Sequence, residues 1–269
     1  MKLLCNPSIL HQKPSAVLFD LDHTLYDYEP AHSHALSITA RKFKQHTSLS
    51  ESVFMLHYEQ ARDKVKVQLQ DQASAHSRLL YFQNLLESLG LQTQMVLTLD
   101  LEQTYWRSFL SQCRLFNGVH ELLEELRILN IKRVIVTDLT AQIQLKKLIY
   151  LELDSDIDYL VTSEESGHDK PHPASFLLAQ QKIATHDLKG PLWMIGDSLN
   201  KDIKGAKEAL SAITFYRQNS QDNHASHNML EFKKHVDVLF SRFDDITELL
   251  HRHFSEENTH TKHPIRAKA

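Results

Sequence analysis

Cysteine and glycine are scarce in these 269 residues, and no apolar run reaches membrane-spanning length. The two cysteines, Cys5 and Cys113, stand far apart with no CxxC pairing. That excludes a disulfide framework and a cysteine-built zinc or iron–sulfur site, and it fits a reducing cytoplasm. Positive charge is not in excess: 30 Lys and Arg stand against 34 Asp and Glu, giving a formal net charge of -4. No global field is available to hold a nucleic-acid polymer or an acidic membrane face, although a local phosphate site needs none. The segment Met1 to Leu10 carries one Lys and an apolar stretch broken by Asn6, Pro7 and Ser8, too brief for a secretory core. Eighteen histidines are scattered without an HExxH or comparable spacing and read as solvated or core residues.

What is present is an alternation of helix and strand. The apolar run Ala16 to Phe19 has no polar alternation, as in a strand buried on both faces, and it ends abruptly in Asp20-Leu21-Asp22. From about Pro30 to Cys113 the periodicity is helical, through Ala35, Ile38 and Phe43, then Phe54, then Phe82 and Leu86, then Leu101, Tyr105 and Phe109. Glycine is absent there until Gly90, which reads as a helix stop. Beyond Asn117 the predicted order is helix 119–129, strand 133–136, helix 140–151, strand 159–161, helix 173–184, strand 192–195, helix 200–210 and strand 212–216. Gln218 to Lys233 reads as a polar loop, 236–240 and 246–250 as a last strand and helix, and Ser255 to Ala269 as a disordered tail. The expected architecture is α/β, with a doubly wound parallel sheet formed by residues 1–28 and 114–254 and a helical insertion at 29–113.

Ligands of open parallel sheets bind beyond the carboxyl ends of the strands. The residues there are Asp20 and Asp22, Thr137 and Asp138, and Asp197, with Lys170 in a nearby loop. Asp20 and Asp22 stand two apart and project to one side of an extended segment. Three converging carboxylates demand a compensating divalent cation, and all-oxygen ligation favours Mg²⁺ over zinc.

These residues carry a resemblance. Asp20-Leu21-Asp22-His23-Thr24 resembles the DxDxT signature of the haloacid dehalogenase superfamily. Thr137, the segment Asp169-Lys170-Pro171 and Gly196-Asp197-Ser198-Leu199-Asn200-Lys201-Asp202 follow in the family's order. The resemblance implies a Rossmann-like core with a helical cap of the C1 type after the first strand. It implies Asp20 as nucleophile, Asp22 as general acid and base, and Thr137, Lys170 and the Asp138 backbone N–H as phosphate ligands. Magnesium would be held by Asp20, Asp197 and the Asp22 carbonyl, with Asp202 behind them. The implied activity is hydrolysis of a small phosphate monoester through an aspartyl phosphate.

Two positions depart from the family pattern. Asp138 replaces the usual Asn and adds negative charge near the expected phosphate, and His172 replaces an Asp, which should alter only the start of a helix. Dehalogenation is disfavoured because a halide leaving group needs no proton from Asp22. Phosphomutase activity and a catalytically silent binding role are both compatible with the same fold, since a fold does not fix its function. The expected substrate is a nucleoside monophosphate or a sugar phosphate. Tyr58, Tyr81, Phe82, Tyr105 and Trp106 are candidates to stack on a base, against the plainer reading of core packing.

Overall fold

The computed structural model describes residues 1–184, 189–218 and 229–254. Within them one sheet contains β1 (Lys2–Leu3), β2 (Ala16–Phe19), β3 (Lys132–Thr137), β4 (Tyr159–Thr162), β5 (Leu192–Gly196), β6 (Ile213–Arg217) and β7 (Val238–Phe240). Their spatial order is β1-β7-β6-β5-β2-β3-β4, with β1 antiparallel to β7 and every other neighbouring pair parallel. The short edge strand β1 was not anticipated, since two exposed residues carry no periodicity.

Successive residues of the central strands enter different cores. Val17, Phe19, Ile135, Trp193 and Ile195 join one cluster, whereas Ala16, Leu18, Val134, Val136 and Met194 join the other. Two-sided burial is the physical reason these strands are apolar throughout. Helices α5 (Val119–Ile128) and α11 (Asp244–Phe254) supply the first face with Leu122, Leu126, Ile246 and Leu250. On the second face, α8 (Pro173–Ile183) contributes Phe176 and Ala179, and α9 (Gly205–Leu210) contributes Ala206. Between these lie α6 (Ala141–Tyr150), α7 (Ser163–Ser166) and α10 (Met229–His235). α10 corrects the loop expected over 218–233. The rest of that stretch, 219–228, and the expected tail at 255–269 lie outside the described residues.

Four helices occupy the connection from β2 to β3: α1 (Tyr28–Thr47), α2 (Glu51–Leu69), α3 (Arg78–Ser88) and α4 (Met95–Leu110). Asp27, Ser50 and Ser77 cap the first three, each side chain accepting from a first-turn N–H. Helix α1 packs on α4 and α2 on α3 around Phe43, Phe54, Phe82, Tyr105 and Phe109. The chain leaves and returns side by side, with Tyr26 bridging Leu115 and the Phe116 N–H donating to the Leu25 carbonyl at 2.9 Å. The result is an α/β core with an inserted helical cap.

Register determines what emerges at the carboxyl edge. Phe19 stands opposite both Ile135 and Ile195, so the residues following β2, β3 and β5 leave the sheet at one level. At the opposite edge, Asp158 Oδ2 accepts from the Arg133 backbone N–H and from its Nε, both at 2.9 Å. Burial acts to raise the Asp158 carboxyl, but these bonds to Arg133 outweigh it and hold the pKa below the ordinary carboxylate range. The stabilisation is therefore present above the unfolded pKa of about 4 and lost as pH falls through the lower folded value. Asp158→Ala should cost about 2–3 kcal/mol near neutral pH because it strands a buried guanidinium. Urea unfolding should show the gap to wild type narrowing below about pH 4; a gap independent of pH would refute the ion pair.

Candidate active site

The segment after β2 turns back at once. The Leu25 N–H donates to the Leu21 carbonyl at 3.0 Å, and His23 adopts a positive φ of 64°. Asp20 and Asp22 are thereby held over the sheet edge, and Thr24 comes beneath Asp20. The Thr24 hydroxyl lies 2.9 Å from Asp20 Oδ2 and 3.1 Å from Asp197 Oδ1, and its single proton serves one of them at a time.

Lys170 reaches the same point from the loop before α8. Its Nζ donates to Asp20 Oδ1 at 2.6 Å, Asp202 Oδ1 at 2.7 Å and the Val136 carbonyl at 2.9 Å, so all three protons are used. Asp202 sits on a π-helical turn, Leu199–Lys204, where the expected helix 200–210 begins. The wide turn lets the Ser198 carbonyl accept from both Asp202 N and Ile203 N, while Asp202 Oδ2 takes the Ser198 N–H at 3.0 Å. No side chain fits at Gly196: a Cβ there would lie 2.4–2.7 Å from Asp202 side-chain atoms.

Thr137 and Asp138 end β3. The Thr137 hydroxyl accepts from Gln144 Nε2 at 2.7 Å, and the same amide donates to the Asp138 carbonyl at 2.6 Å. The negative charge expected to trouble phosphate binding is already engaged. Asp138 Oδ1 accepts the Lys170 backbone N–H at 2.9 Å, and Oδ2 pairs with Lys201 Nζ at 2.8 Å. His172 has the local effect expected of it, its Nδ1 accepting the Ala174 N–H at the start of α8.

Asp22 has a partner that was not anticipated. Lys147 of α6 is fully buried and places Nζ 2.7 Å from both Asp22 carboxylate oxygens, and the Tyr26 hydroxyl also donates to Oδ1. Burial works to raise the Asp22 pKa, but Lys147 and Tyr26 outweigh it, so Asp22 is held ionised. Lys147 was hidden in the sequence because the buried face of α6 mixes polar residues with the apolar Ile143 and Leu148. Its Gln144 and Lys147 face inward, while Leu145, Ile149 and Tyr150 are exposed.

Asp20, Asp197 and Asp202 each bring a carboxylate oxygen within 4.8 Å of the others. Burial first, and then Asp202 and Asp22 acting against Lys170, push Asp20 up to about 7; burial and Asp20 push Asp197 up to about 6. A donor set of hard oxygens in mutual repulsion fits a small divalent cation.

A scan against family models matches residues 14–209 to haloacid dehalogenase-like hydrolase. The chain belongs to that family. Among curated relatives, a ribulose-1,5-bisphosphate 5-phosphatase of Halopiger xanaduensis is 30% identical, over 88% of this chain and 99% of the relative. A glyceraldehyde 3-phosphate phosphatase of Methanocaldococcus jannaschii is 27% identical, covering 83% and 96%. Among solved structures, 2-haloacid dehalogenase from Pseudomonas syringae superposes with a TM-score of 0.69 at 21% identity, over 89% of this chain and 99% of the other, a likeness of fold. With phosphatases as its curated relatives, the protein is a phosphatase of the haloacid dehalogenase-like family.

In this hydrolase the carboxylates open into a cavity of about 470 Å³ roofed by the helical cap. The five cap aromatics that could have stacked on a base are all buried: Tyr58, Tyr81 and Trp106 reach the cavity wall, whereas Phe82 and Tyr105 do not. The cap core also claims Tyr105 through a 2.6 Å hydrogen bond to His32 Nδ1. Among the described residues no helix is long and apolar enough to cross a membrane.

Gly196→Ala isolates the role of Asp202. The added methyl would meet Asp202 Cβ, Cγ and Oδ2, so the side chain whose Oδ1 holds Lys170 must shift. We expect a stability loss of about 1–3 kcal/mol from overpacking and a fall in kcat of about 10-fold or more from the misplaced lysine. Phosphatase assay beside thermal melting checks it, and undiminished kcat would show that Asp202 need not hold Lys170.

Proposed function

We propose that this phosphatase hydrolyses a small phosphorylated metabolite with Asp20 as nucleophile and Mg²⁺ as cofactor. The observation that carries the reading is Asp20 itself. It ends the central parallel strand, touches Lys170, and stands within 4.8 Å of Asp197 and Asp202 at the floor of the cavity. Residues 1–28 and 114–254 are taken as the catalytic core, 29–113 as a C1-type cap. The free cysteines Cys5 and Cys113 accord with a cytoplasmic protein.

Asp20, Asp197 and the Asp22 carbonyl would hold the ion, with Asp202 steadying Lys170 behind them. When bound, Mg²⁺ supplies positive charge to the phosphoryl oxygens and offsets the repulsion among the carboxylates. An Asp20 oxygen attacks phosphorus in line and the bond to the ester oxygen breaks, leaving an aspartyl phosphate. Asp22, ionised in the empty site, takes up a proton from solvent as the charge of the phosphate dianion arrives beside it, and gives that proton to the departing alkoxide. Water then attacks phosphorus, its proton passes to Asp22, and the Asp20–phosphorus bond breaks to release inorganic phosphate. Lys147 and Tyr26 hold Asp22 in the ionised form that accepts water's proton. The Thr137 hydroxyl, the Asp138 N–H and Lys170 neutralise the transferring group, the main source of rate in phosphoryl transfer.

A sugar phosphate is favoured over a nucleoside monophosphate. The activities named for the two phosphatase relatives are on sugar phosphates, and of the five cap aromatics Phe82 and Tyr105 are packed in the cap core away from the cavity. Asp22 also favours phosphate esters over halides, since only an alkoxide needs its proton.

Phosphate release from sugar phosphates, nucleoside monophosphates and an aryl phosphate should require Mg²⁺, stop in EDTA and vanish in Asp20→Asn. Asp22→Asn should lose at least about 100-fold on alkyl esters, the range of general acid–base catalysis. On the aryl ester it should lose less in the first half-reaction, because a phenolate departs without a proton. Turnover that survives Asp20→Asn would overturn the nucleophile assignment.

A further inference from the structure

The charges lining the cavity are sorted by height. Asp20, Asp22, Asp138, Asp197 and Asp202 lie at the floor with Lys147, Lys170 and Lys201, and each of these lysines is bound to a floor carboxylate. The cap wall carries Arg62 and Lys66 from α2 and Arg78 from α3. Among the described residues, Lys66 and Arg78 have no carboxylate within ion-pair distance. Arg62 has only a 3.9 Å contact with its exposed neighbour Asp63. Glu29 also lines the cavity, but it is exposed and its nearest basic atom is His23 Nε2 at 3.8 Å.

Arg78 is the most telling of the three. It is only 9% exposed, yet its guanidinium meets neutral groups alone: the Tyr28 hydroxyl, the His76 carbonyl at 2.7 Å, and the faces of Tyr81, Tyr105 and Trp106 at 5.3–5.4 Å. Its Nε is buried without a partner. A buried cation without an anion is costly, and like charges four residues apart on a helix, as at Arg62 and Lys66, destabilise it further. Lys66 reports the crowding, since burial and then Arg62, Arg78 and Lys201 lower its pKa. His32 beneath them is driven to about 3 by burial and by Arg78 and Arg62, so it is neutral and adds no positive charge of its own.

We propose that Arg62, Lys66 and Arg78 form a binding site for a second phosphate of the substrate, so that the preferred ester is a sugar bisphosphate with one phosphate at Asp20 and the other against the cap. Three cations match a phosphate dianion, whereas a carboxylate would leave two of them uncompensated. The inference rests on the phosphatase reading above and deepens it. Because such a bisphosphate spans from core to cap, it also ties cap position to occupancy of the site.

The test measures kcat/KM at fixed ionic strength for matched pairs: ribulose 1,5-bisphosphate with ribulose 5-phosphate, and fructose 1,6-bisphosphate with fructose 6-phosphate. A third pair, 3-phosphoglycerate with glycerol 3-phosphate, presents a carboxylate instead. Wild type should prefer the bisphosphate in at least one of the first two pairs by about 30-fold or more, the scale of one or two charge-assisted contacts. Arg62→Ala/Lys66→Ala, at half-exposed positions, should collapse that ratio to within about 3-fold with little change in melting. Arg78→Lys, which keeps the charge but not the fork, should reduce it. Equal kcat/KM in both sugar pairs, a ratio unmoved by the variants, or a larger gain from the carboxylate than from the second phosphate overturns the second-phosphate site while leaving the phosphatase reading intact. No turnover of any ester overturns the phosphatase reading, and this inference with it.

Discussion

The buried ammonium of Lys170 is the interaction on which the site depends. A lysine with so little exposure survives only if each of its protons is received, and the three acceptors come from three parts of the chain: Asp20 after β2, Val136 in β3 and Asp202 beyond β5. Burial alone would lower its pKa, but Asp20 and Asp202 outweigh burial and hold the proton firmly. The ammonium therefore ties together the ends of the central strands. The absence of a side chain at Gly196, the wide turn at Leu199–Lys204 and the Asp138 clamp on the Lys170 backbone all serve that geometry.

Lys147 extends the network toward the cap. Its ammonium holds Asp22 from the core side and lies 5.5–5.9 Å from the rings of Tyr28, Trp106 and Phe109. Asp22 is thus held against the insertion as well as the sheet. A cap displacement that moved those rings would change the surroundings of Lys147, and through it Asp22. Cap and core also meet on the other side, where His76 Nε2 lies 2.7 Å from Asp169 Oδ2 and the Asp169 N–H donates to the Asp71 carbonyl. Asp169 immediately precedes Lys170, so this contact bears on the same centre.

Charge in the cavity is segregated between a floor whose lysines are committed to carboxylates and a wall whose cations are not. Asp138 shows how a departure from the family pattern is absorbed. Its extra charge is taken up by Lys201, four residues beyond Asp197 in the same loop-and-turn segment.

Much of the fold was legible because two-sided burial leaves its mark on composition. Ala16–Phe19 and Leu192–Ile195 are apolar throughout, and a carboxylate follows each at the sheet edge. Asp20, Asp22, Thr137, Lys170, Asp197 and Asp202 could be named as candidates because the chemistry of strand ends and four ordered motifs mark them locally. Tertiary structure alone decided which charges meet. Lys147 pairs with Asp22 across 125 positions, and Lys201 with Asp138 across 63. Such pairings follow from strand register and helix packing, not from any local pattern. On α6, Gln144 and Lys147 turn inward beside Ile143 and Leu148 while Leu145 and Ile149 are exposed, which hydrophobic periodicity does not foretell. The buried Arg78 likewise carries no local mark, because burial, unlike charge, is a property of the assembled fold.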